Sequence, residues 1–473
     1  MTEAGGVWAP GSRELTAALV ASVTLVGSET LAIATVMPAV SDELGVVGYG
    51  LAFSVFFVGS IVGVLLAGPA TDRVGPRRPF LIGMGLFGVG LAVGSLAPAM
   101  SVLLAGRGLQ GLGAGVIPAV GYACIGRAYC EPARPRMLAV LSTAWVLPGL
   151  IGPGLAGFVA AQAGWRWVFG GLLPLVVLTA AAAIRPLGRL EPVEVALAIP
   201  GLPAIAGLPV LDTVRFAAGV GLVVAAVDRL LPFGVVALAI AAAIATVGVL
   251  CAAGPARRLL PVGWWRARRG VAAAVAVRGL LSYAFLAVDA FVPLVLTDVR
   301  GRSVVFASVA VSVSALVWSA GSWAAERLVP RVGTTGLAAA GAALVTVGVG
   351  WQMVLLVPAV PIPVGLAGVA TAAFGMGLSL TPLSMLVLDQ QQEASTGRAS
   401  SWMALFEQLG FAAGPLLGGL LVAADPVPPG LTRGLAVAFA VAVAVAALAT
   451  ALRPRLLPVA ATAVPGPTLP SGR

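Results

Sequence analysis

Gly68–Pro79 reads GPATDRVGPRRP and lies between two long apolar stretches, Gly50–Ala67 and Phe80–Ala97. It holds one acid, three arginines, two glycines and three prolines. A short charged turn between two apolar segments belongs on the cytoplasmic face of a membrane, where positive charge is retained. Gly75 permits a tight reversal, Pro76 and Pro79 stop a helix, and Asp72 can pair with a nearby guanidinium.

The rest of the chain agrees with a membrane setting. Hydrophobic residues make up 59% of its 473 residues and charged residues only 10%, with 61 glycines, far from a soluble profile. Stretches long enough to cross a bilayer recur from end to end, about fourteen of them. They fall at residues 14–38, 48–68, 79–98, 101–126, 136–161, 166–184, 212–230, 232–253, 270–296, 304–325, 335–356, 363–388, 399–423 and 431–452. The expected fold class is therefore an all-α integral membrane protein. Met1–Arg13 has no basic stretch followed by a cleavage site, so the first span is expected to act as an uncleaved insertion signal. The tail after Leu452, rich in Pro, Ala and Thr, is expected to be disordered.

Several function classes drop out. The net charge of +10 is spread through loops between spans rather than gathered in one patch, so no nucleic-acid partner is expected. The chain has no lysine, hence no phosphate-binding loop of the GxxxxGK[ST] type. It has no histidine, which removes histidine triads and zinc helices. Cys124, Cys130 and Cys251 lack CxxC spacing and read as small apolar fillers, leaving no metal or redox site. Enzyme activity is not expected.

With the N-terminus inside, about twenty of the 28 basic residues fall on the cytoplasmic side. An even span count then places both ends in the cytoplasm. Two stretches echo each other at similar offsets. GSWAAERLVPRVG (Gly321–Gly333) repeats the acid-Arg turn, with Glu326 and Arg327 for Asp72 and Arg73, an offset of 254 (326 − 72). GFAAGPLLGG (Gly410–Gly419) echoes PGLIGPGLAG (Pro148–Gly157) at an offset of 262 (415 − 153). This implies a duplicated six-span unit: residues 1–184, a central insert with two extra spans at 185–269, a second bundle at 270–452 and a tail at 453–473.

Ionisable residues inside spans are expensive and point to function. They are Glu29, Arg107, Arg278 and Asp289, with Glu407 shallower. At ~1.5 Å per residue, Glu29 lies about 13 Å, Arg107 about 9 Å and Asp289 about 10 Å inside the outer ends of their spans. These three can share a level, whereas Arg278 and Glu407 sit nearer the cytoplasm. Buried ion pairs that only fix packing are one reading. The other is a cavity in which Glu29 and Asp289 exchange protons or cationic substrate, with Arg107 setting the proton affinity of Glu29.

Taken together, these motifs resemble the major facilitator superfamily. Gly68, Asp72, Arg73, Gly75, Arg77 and Arg78 match its loop signature G-x-x-x-D-R-x-G-x-R-R. SETLAIATVMP (Ser28–Pro38) is similar to the first-span motif of the fourteen-span drug:H+ antiporters, with Glu29 at the acidic position although the usual residue is Asp and the motif's Asn is missing. RGLQGLGAG (Arg107–Gly115) resembles the fourth-span motif, whose arginine is implicated in proton coupling. Gly152, Pro153 and Gly157, and more completely Gly410, Gly414, Pro415, Gly418 and Gly419, resemble the antiporter motif G-x-x-x-G-P-x-x-G-G. WRWVF (Trp165–Phe169) is typical of the start of the sixth span.

The resemblance implies two six-helix bundles with two extra central spans, working by alternating access. The expected function is a proton-coupled antiporter exporting small apolar or cationic compounds, with the proton gradient rather than a cofactor as energy source. Asp72 and Glu326 would act as cytoplasmic latches, and Trp145, Tyr283, Phe285, Trp402 and Phe406 would line an apolar pocket. Export of a lipid or natural product fits the same motifs, and a non-transporting receptor or scaffold is a further alternative. Composition points to a bacterial inner membrane, and nothing demands an oligomer.

Overall fold

The computed structural model describes residues 6–44, 49–144, 146–190, 209–228, 235–302, 304–390, 396–423 and 430–457. Among them the regular structure is helical throughout, as it must be where lipid offers the backbone no hydrogen bonds. The helices are α1 (Arg13–Leu44), α2 (Tyr49–Val74), α3 (Arg77–Ser95), α4 (Met100–Ala128), α5 (Arg134–Thr143), α6 (Val146–Ala163), α7 (Arg166–Gly170) and α8 (Leu173–Gly188). They continue with α9 (Val210–Asp228), α10 (Val235–Leu259), α11 (Val271–Asp289), α12 (Val292–Leu294), α13 (Val304–Val332), α14 (Thr334–Gln352), α15 (Ile362–Asp389), α16 (Thr396–Ala423) and α17 (Gly430–Ala451).

Among the described residues nine helices are long and apolar enough to cross a membrane, and a bent pair, Glu131–Gly149 with Gly154–Ala163 at 41°, makes a tenth. The expected spans at 14–38, 212–230, 304–325 and 399–423 coincide with α1, α9, α13 and α16, which lie outside that count. Fourteen is thus a larger number than length and composition alone establish. Most of the central stretch 185–209 and the tail beyond residue 457 lie outside the described residues, as does Trp145.

The loop quoted above is shorter than its sequence suggests. Helix α2 continues through Pro69 to Val74, and α3 starts at Arg77, so the turn itself is only Gly75 and Pro76. Gly75 has φ 76°, the left-handed conformation expected there. Pro79 does not stop a helix; it sits in the first turn of α3, where a missing N–H costs nothing.

Glycine in the helices permits close backbone approach. A Cβ on Gly63 of α2 would lie 2.1 Å from the Leu112 carbonyl of α4, and one on Gly111 would lie 2.0 Å from the Phe56 carbonyl. Packing of this kind, rather than hydrophobic drive, holds helices together in lipid.

Helix α1 packs on α6 and α8, α2 and α3 pack on α4, and α3 packs on α8. The same pairings recur later: α11 on α16 and α17, α13 and α14 on α15, α14 on α17. Between these two sets, α16 meets α2 and α4, while α13 meets α5 and α6 and α15 meets α5. Helices α9 and α10 pair with each other, and α9 leans on α2 and more lightly on α16.

Candidate functional site

Glu29 lies midway along the 32-residue α1, and Arg107 two turns into α4. Their side chains form an ion pair that is 3% and 1% exposed. The same Arg107 nitrogen also donates to Gln110 Oε1, one turn along α4. Arg107 Nε donates to the Ala52 carbonyl at 3.2 Å, and the guanidinium lies 4.4 Å from the centre of the Phe56 ring. The arginine therefore has four anchors, three of which do not involve Glu29. Glu29 Oε2 accepts no hydrogen bond from the described residues, and Glu29 borders a narrow cleft with Ala32, Ile33, Val168, Phe169 and Leu172. The expectation that Glu29 and Arg107 share a level is met by direct contact.

Asp289 is not drawn into that pair. Ser314 of α13 donates to its Oδ1 at 3.2 Å, and among the described residues it forms no ion pair. A cavity of about 130 Å³ opens beside Ser314 between α13 and α15, walled by Phe306, Val309, Val313, Leu366 and Val369. Sequence arithmetic explains the difference. Asp289 follows Glu29 by 260 residues (289 − 29), close to the repeat offsets, but the residue 262 beyond Arg107 (369 − 107) is Val369. The later carboxylate has no arginine at the corresponding place.

Arg278 of α11 is 2% exposed and meets Glu407 of α16, with Nη2 to Oε2 at 2.5 Å. It also donates to Ser384 Oγ of α15 and to Tyr122 OH of α4, both at 2.7 Å. Tyr122 joins this network from the other set of helices. Sequence reading missed it because a lone tyrosine in an apolar helix carries no pattern. Close by, Ser60 of α2 donates to Gln408 Oε1 of α16 at 2.6 Å.

At the arginine-rich end, Asp72 closes the seam between α2 and α16. Its carboxylate accepts the backbone N–H groups of Gly397 at 2.8 Å and Arg398 at 3.0 Å, in the first turn of α16. The guanidinium of Arg127 on α4 donates to Asp72 Oδ1 at 2.6 Å. A carboxylate at a helix N-terminus meets unpaired N–H groups and the positive end of the helix dipole. The guanidinium that Asp72 pairs with comes from a neighbouring helix, α4. A Cβ on Gly68 would lie 2.3 Å from the Gly397 carbonyl, so this glycine is what lets the two helices touch.

A second seam is built differently. Arg134 of α5 donates to Asp389 of α15 at 2.8 Å, and Trp323 Nε1 of α13 donates to Thr143 Oγ1 of α5 at 3.0 Å. Glu326, the expected counterpart of Asp72, forms no ion pair among the described residues. Arg77 lies against Gly188, while Arg78 and Arg327 are exposed.

The two glycine motifs also diverge. A Cβ on Gly410 would lie 2.3 Å from the Gly279 carbonyl and one on Gly414 2.6 Å from that of Tyr283, locking α16 to α11. Gly418 and Gly419 follow further along α16, beside residues whose side chains lie outside the description, as does that of Pro153. On α6 a Cβ at Gly152 would meet nothing within 4 Å, so no close backbone approach occurs at this glycine among the described residues. Of the aromatics, Phe285 stacks edge-on with Trp318, their centroids 5.1 Å apart. Trp402 and Phe406 face the central insert instead, through Leu259 and Trp264.

Among the described residues no cluster of His, Cys, Asp or Glu could hold a metal. The family model described as Major Facilitator Superfamily matches residues 18–415. A probable multidrug-efflux transporter of Mycobacterium tuberculosis is 34% identical over 153 residues, 32% of each chain. The multidrug resistance protein Stp of the same organism is 31% identical over 153 residues, 32% of this chain and 28% of its own. The chain thus spans about a third of the length of the curated relatives it matches. Among solved structures, the human organic anion transporter MFSD10 superposes with a TM-score of 0.68 at 16% identity, over 94% of this chain and 99% of that one. The proton:xylose symporter XylE does so with 0.67 at 14% identity, over 94% and 96%. At these identities the likeness bears on the fold alone.

Proposed function

The chain belongs to the Major Facilitator Superfamily, a family of transporters rather than enzymes, and we propose that it is a proton-coupled antiporter exporting small apolar or cationic compounds. The relatives named as probable multidrug-efflux transporters support the direction and the cargo class. The recurrence of helix pairings supports two rocking bundles, residues 1–184 and 270–452, with 185–269 as an insert. Arginine distribution supports a cytoplasmic Asp72 end with both termini on that side of a bacterial inner membrane.

The observation that carries the reading is the Glu29–Arg107 pair. A carboxylate buried in a helix is costly unless paired or used. Protonating Glu29 removes its hold on Arg107, yet Arg107 keeps Gln110, the Ala52 carbonyl and the Phe56 ring. The proton therefore frees α1 while α4 stays fixed, which is how one proton can bias a bundle. Asp289, bonded among the described residues to a serine hydroxyl beside the α13–α15 cavity, serves as the second exchanging carboxylate, facing cargo. Arg278, Glu407 and Tyr122 form the central bridge between bundles, and the Asp72 and Arg134 contacts are the cytoplasmic latches. With those latches closed, the arrangement corresponds to an exporter shut on the cytoplasmic side.

Dye efflux from proteoliposomes, with and without an imposed pH gradient, tests this. Gradient-driven efflux should be lost in Glu29→Gln and reduced in Asp289→Asn at equal protein content. Undiminished gradient-driven flux in Glu29→Gln refutes the coupling role.

A further inference from the structure

We propose that the segment Pro255–Gly270, together with Arg453–Leu457, is a binding site for anionic phospholipid headgroups. Arg257, Arg266, Arg268, Arg269, Arg453 and Arg455 are all exposed there, and none forms an ion pair among the described residues. Arg258, next to them, pairs with Asp212 at 3.3 Å. Neither stretch contains an acid.

These charges are held together by the backbone rather than left to spread. Gly270 N–H donates to the Arg455 carbonyl at 3.0 Å, and the Arg455 guanidinium donates to the Arg266 carbonyl. Gly263, Ala267 and Gly270 adopt φ of 80°, 43° and 87°, folding the segment into consecutive tight turns. Arg268 N–H closes one turn onto the Gly263 carbonyl at 3.2 Å. Fixing like charges side by side costs free energy that an anion recovers.

The apolar surroundings select a lipid over free phosphate. Trp265 is 66% exposed and Val262 82% exposed. The Arg266 guanidinium lies 4.2 Å from the centre of the Trp265 ring. The segment joins the end of α10 at Leu259 to the start of α11 at Val271, and Arg453–Leu457 follows α17, so both sit where helices leave the bilayer. Tryptophan favours headgroup depth, and basic clusters just beyond membrane helices attract anionic headgroups.

The test is titration of the detergent-solubilised full chain with brominated phosphatidylglycerol, read by quenching of tryptophan fluorescence, with brominated phosphatidylcholine as the zwitterionic comparison. Phosphatidylglycerol should quench at far lower concentration than phosphatidylcholine, and Trp265→Phe should remove part of the signal. R266Q/R268Q/R269Q should raise the half-saturating phosphatidylglycerol concentration roughly a hundredfold, at about fivefold per arginine. The charge-matched R13Q/R136Q/R185Q, on exposed arginines elsewhere, should leave it within about twofold. If the first triple variant does not fold, R257Q/R453Q should still raise it roughly 25-fold. Equal weakening by the two triple variants, or no weakening by R257Q/R453Q, overturns the proposal. So does displacement of the lipid by soluble glycerol phosphate at matching concentration.

Discussion

Asp72→Asn should open the arginine-rich end, and the size of the effect can be worked from the contacts. Only contacts that differ between closed and open states shift the balance. Arg127 is on α4, which packs on α2, so its bond to Asp72 survives opening and cancels. What is lost on opening are the two bonds from Gly397 and Arg398 N–H, at 2.8 and 3.0 Å. Hydrogen bonds to a charged group are worth about 1.5–3 kcal/mol each. Asparagine keeps one acceptor oxygen, turns an N–H donor toward the other backbone N–H, and lacks charge for the α16 dipole. A loss of about 2–3 kcal/mol follows, or roughly 30- to 150-fold in the closed-to-open ratio. Spin labels at the exposed Arg78→Cys, beside the α2–α3 turn, and Arg398→Cys, at the start of α16, with the native cysteines replaced, would report the α2–α16 separation at that end by double electron–electron resonance. The short-distance population should fall and a longer one appear. An unchanged distribution in Asp72→Asn would refute the latch.

Arg107→Ala leaves Glu29 buried without its cation, a loss of about 3–5 kcal/mol; membrane abundance and Tm should drop, and Glu29→Ala/Arg107→Ala should recover most of both. Arg134→Asp should weaken closure by repelling Asp389, and adding Asp389→Arg should restore it. The pair is 20% and 31% exposed, so its coupling in a double-mutant cycle should be no more than about 1 kcal/mol. At the opposite end, beyond residue 38, the Trp165 and Arg166 side chains hold the Glu43 carboxyl below its ordinary value of 4.5. A lowered folded-state value means that stabilisation is present above the unfolded pKa and lost as pH falls through the folded one. The Tm of wild type should therefore exceed that of Glu43→Gln near neutrality, and the difference should vanish as the pH drops below the ordinary glutamate range.

Membrane helices were legible because their signal is local: apolar length, with charged turns such as Asp72–Arg78 between some of the spans. Their ends were not, since α2 runs through Pro69 to Val74 and α3 begins at Arg77. Hydropathy marks where lipid stops, whereas a helix ends only where its backbone finds another partner. Glu29 and Arg107 were legible as a pair because each is a lone charge at matching depth in its span. Arg278 and Glu407 were legible singly, as charges toward the cytoplasmic side, and the structure joins them. Tyr122, Gln110 and Asp389 carried no such mark: an uncharged polar residue, or a charge at a helix end, is common everywhere. The partners of Tyr122 and Asp389 are set by how two helix sets dock, a relation that no single stretch encodes, whereas Gln110 meets Arg107 one turn away on its own helix. The exchange of Glu326 for an Arg134–Asp389 contact was hidden for the same reason.

The two seams at the arginine-rich end are made of different physics. Asp72 against the α16 N-terminus is shielded, with a side chain 9% exposed, and rests partly on fixed peptide dipoles that ions in solution reach poorly. Arg134 against Asp389 is open to water and screened by salt. A carrier fastened in this way parts like a hinged door rather than a clamshell. The α5–α15 edge yields first as ionic strength rises, and the α2–α16 edge keeps the axis. If the two helix sets rock as proposed, they need not move as mirror images, because ionic strength weakens one edge and spares the other.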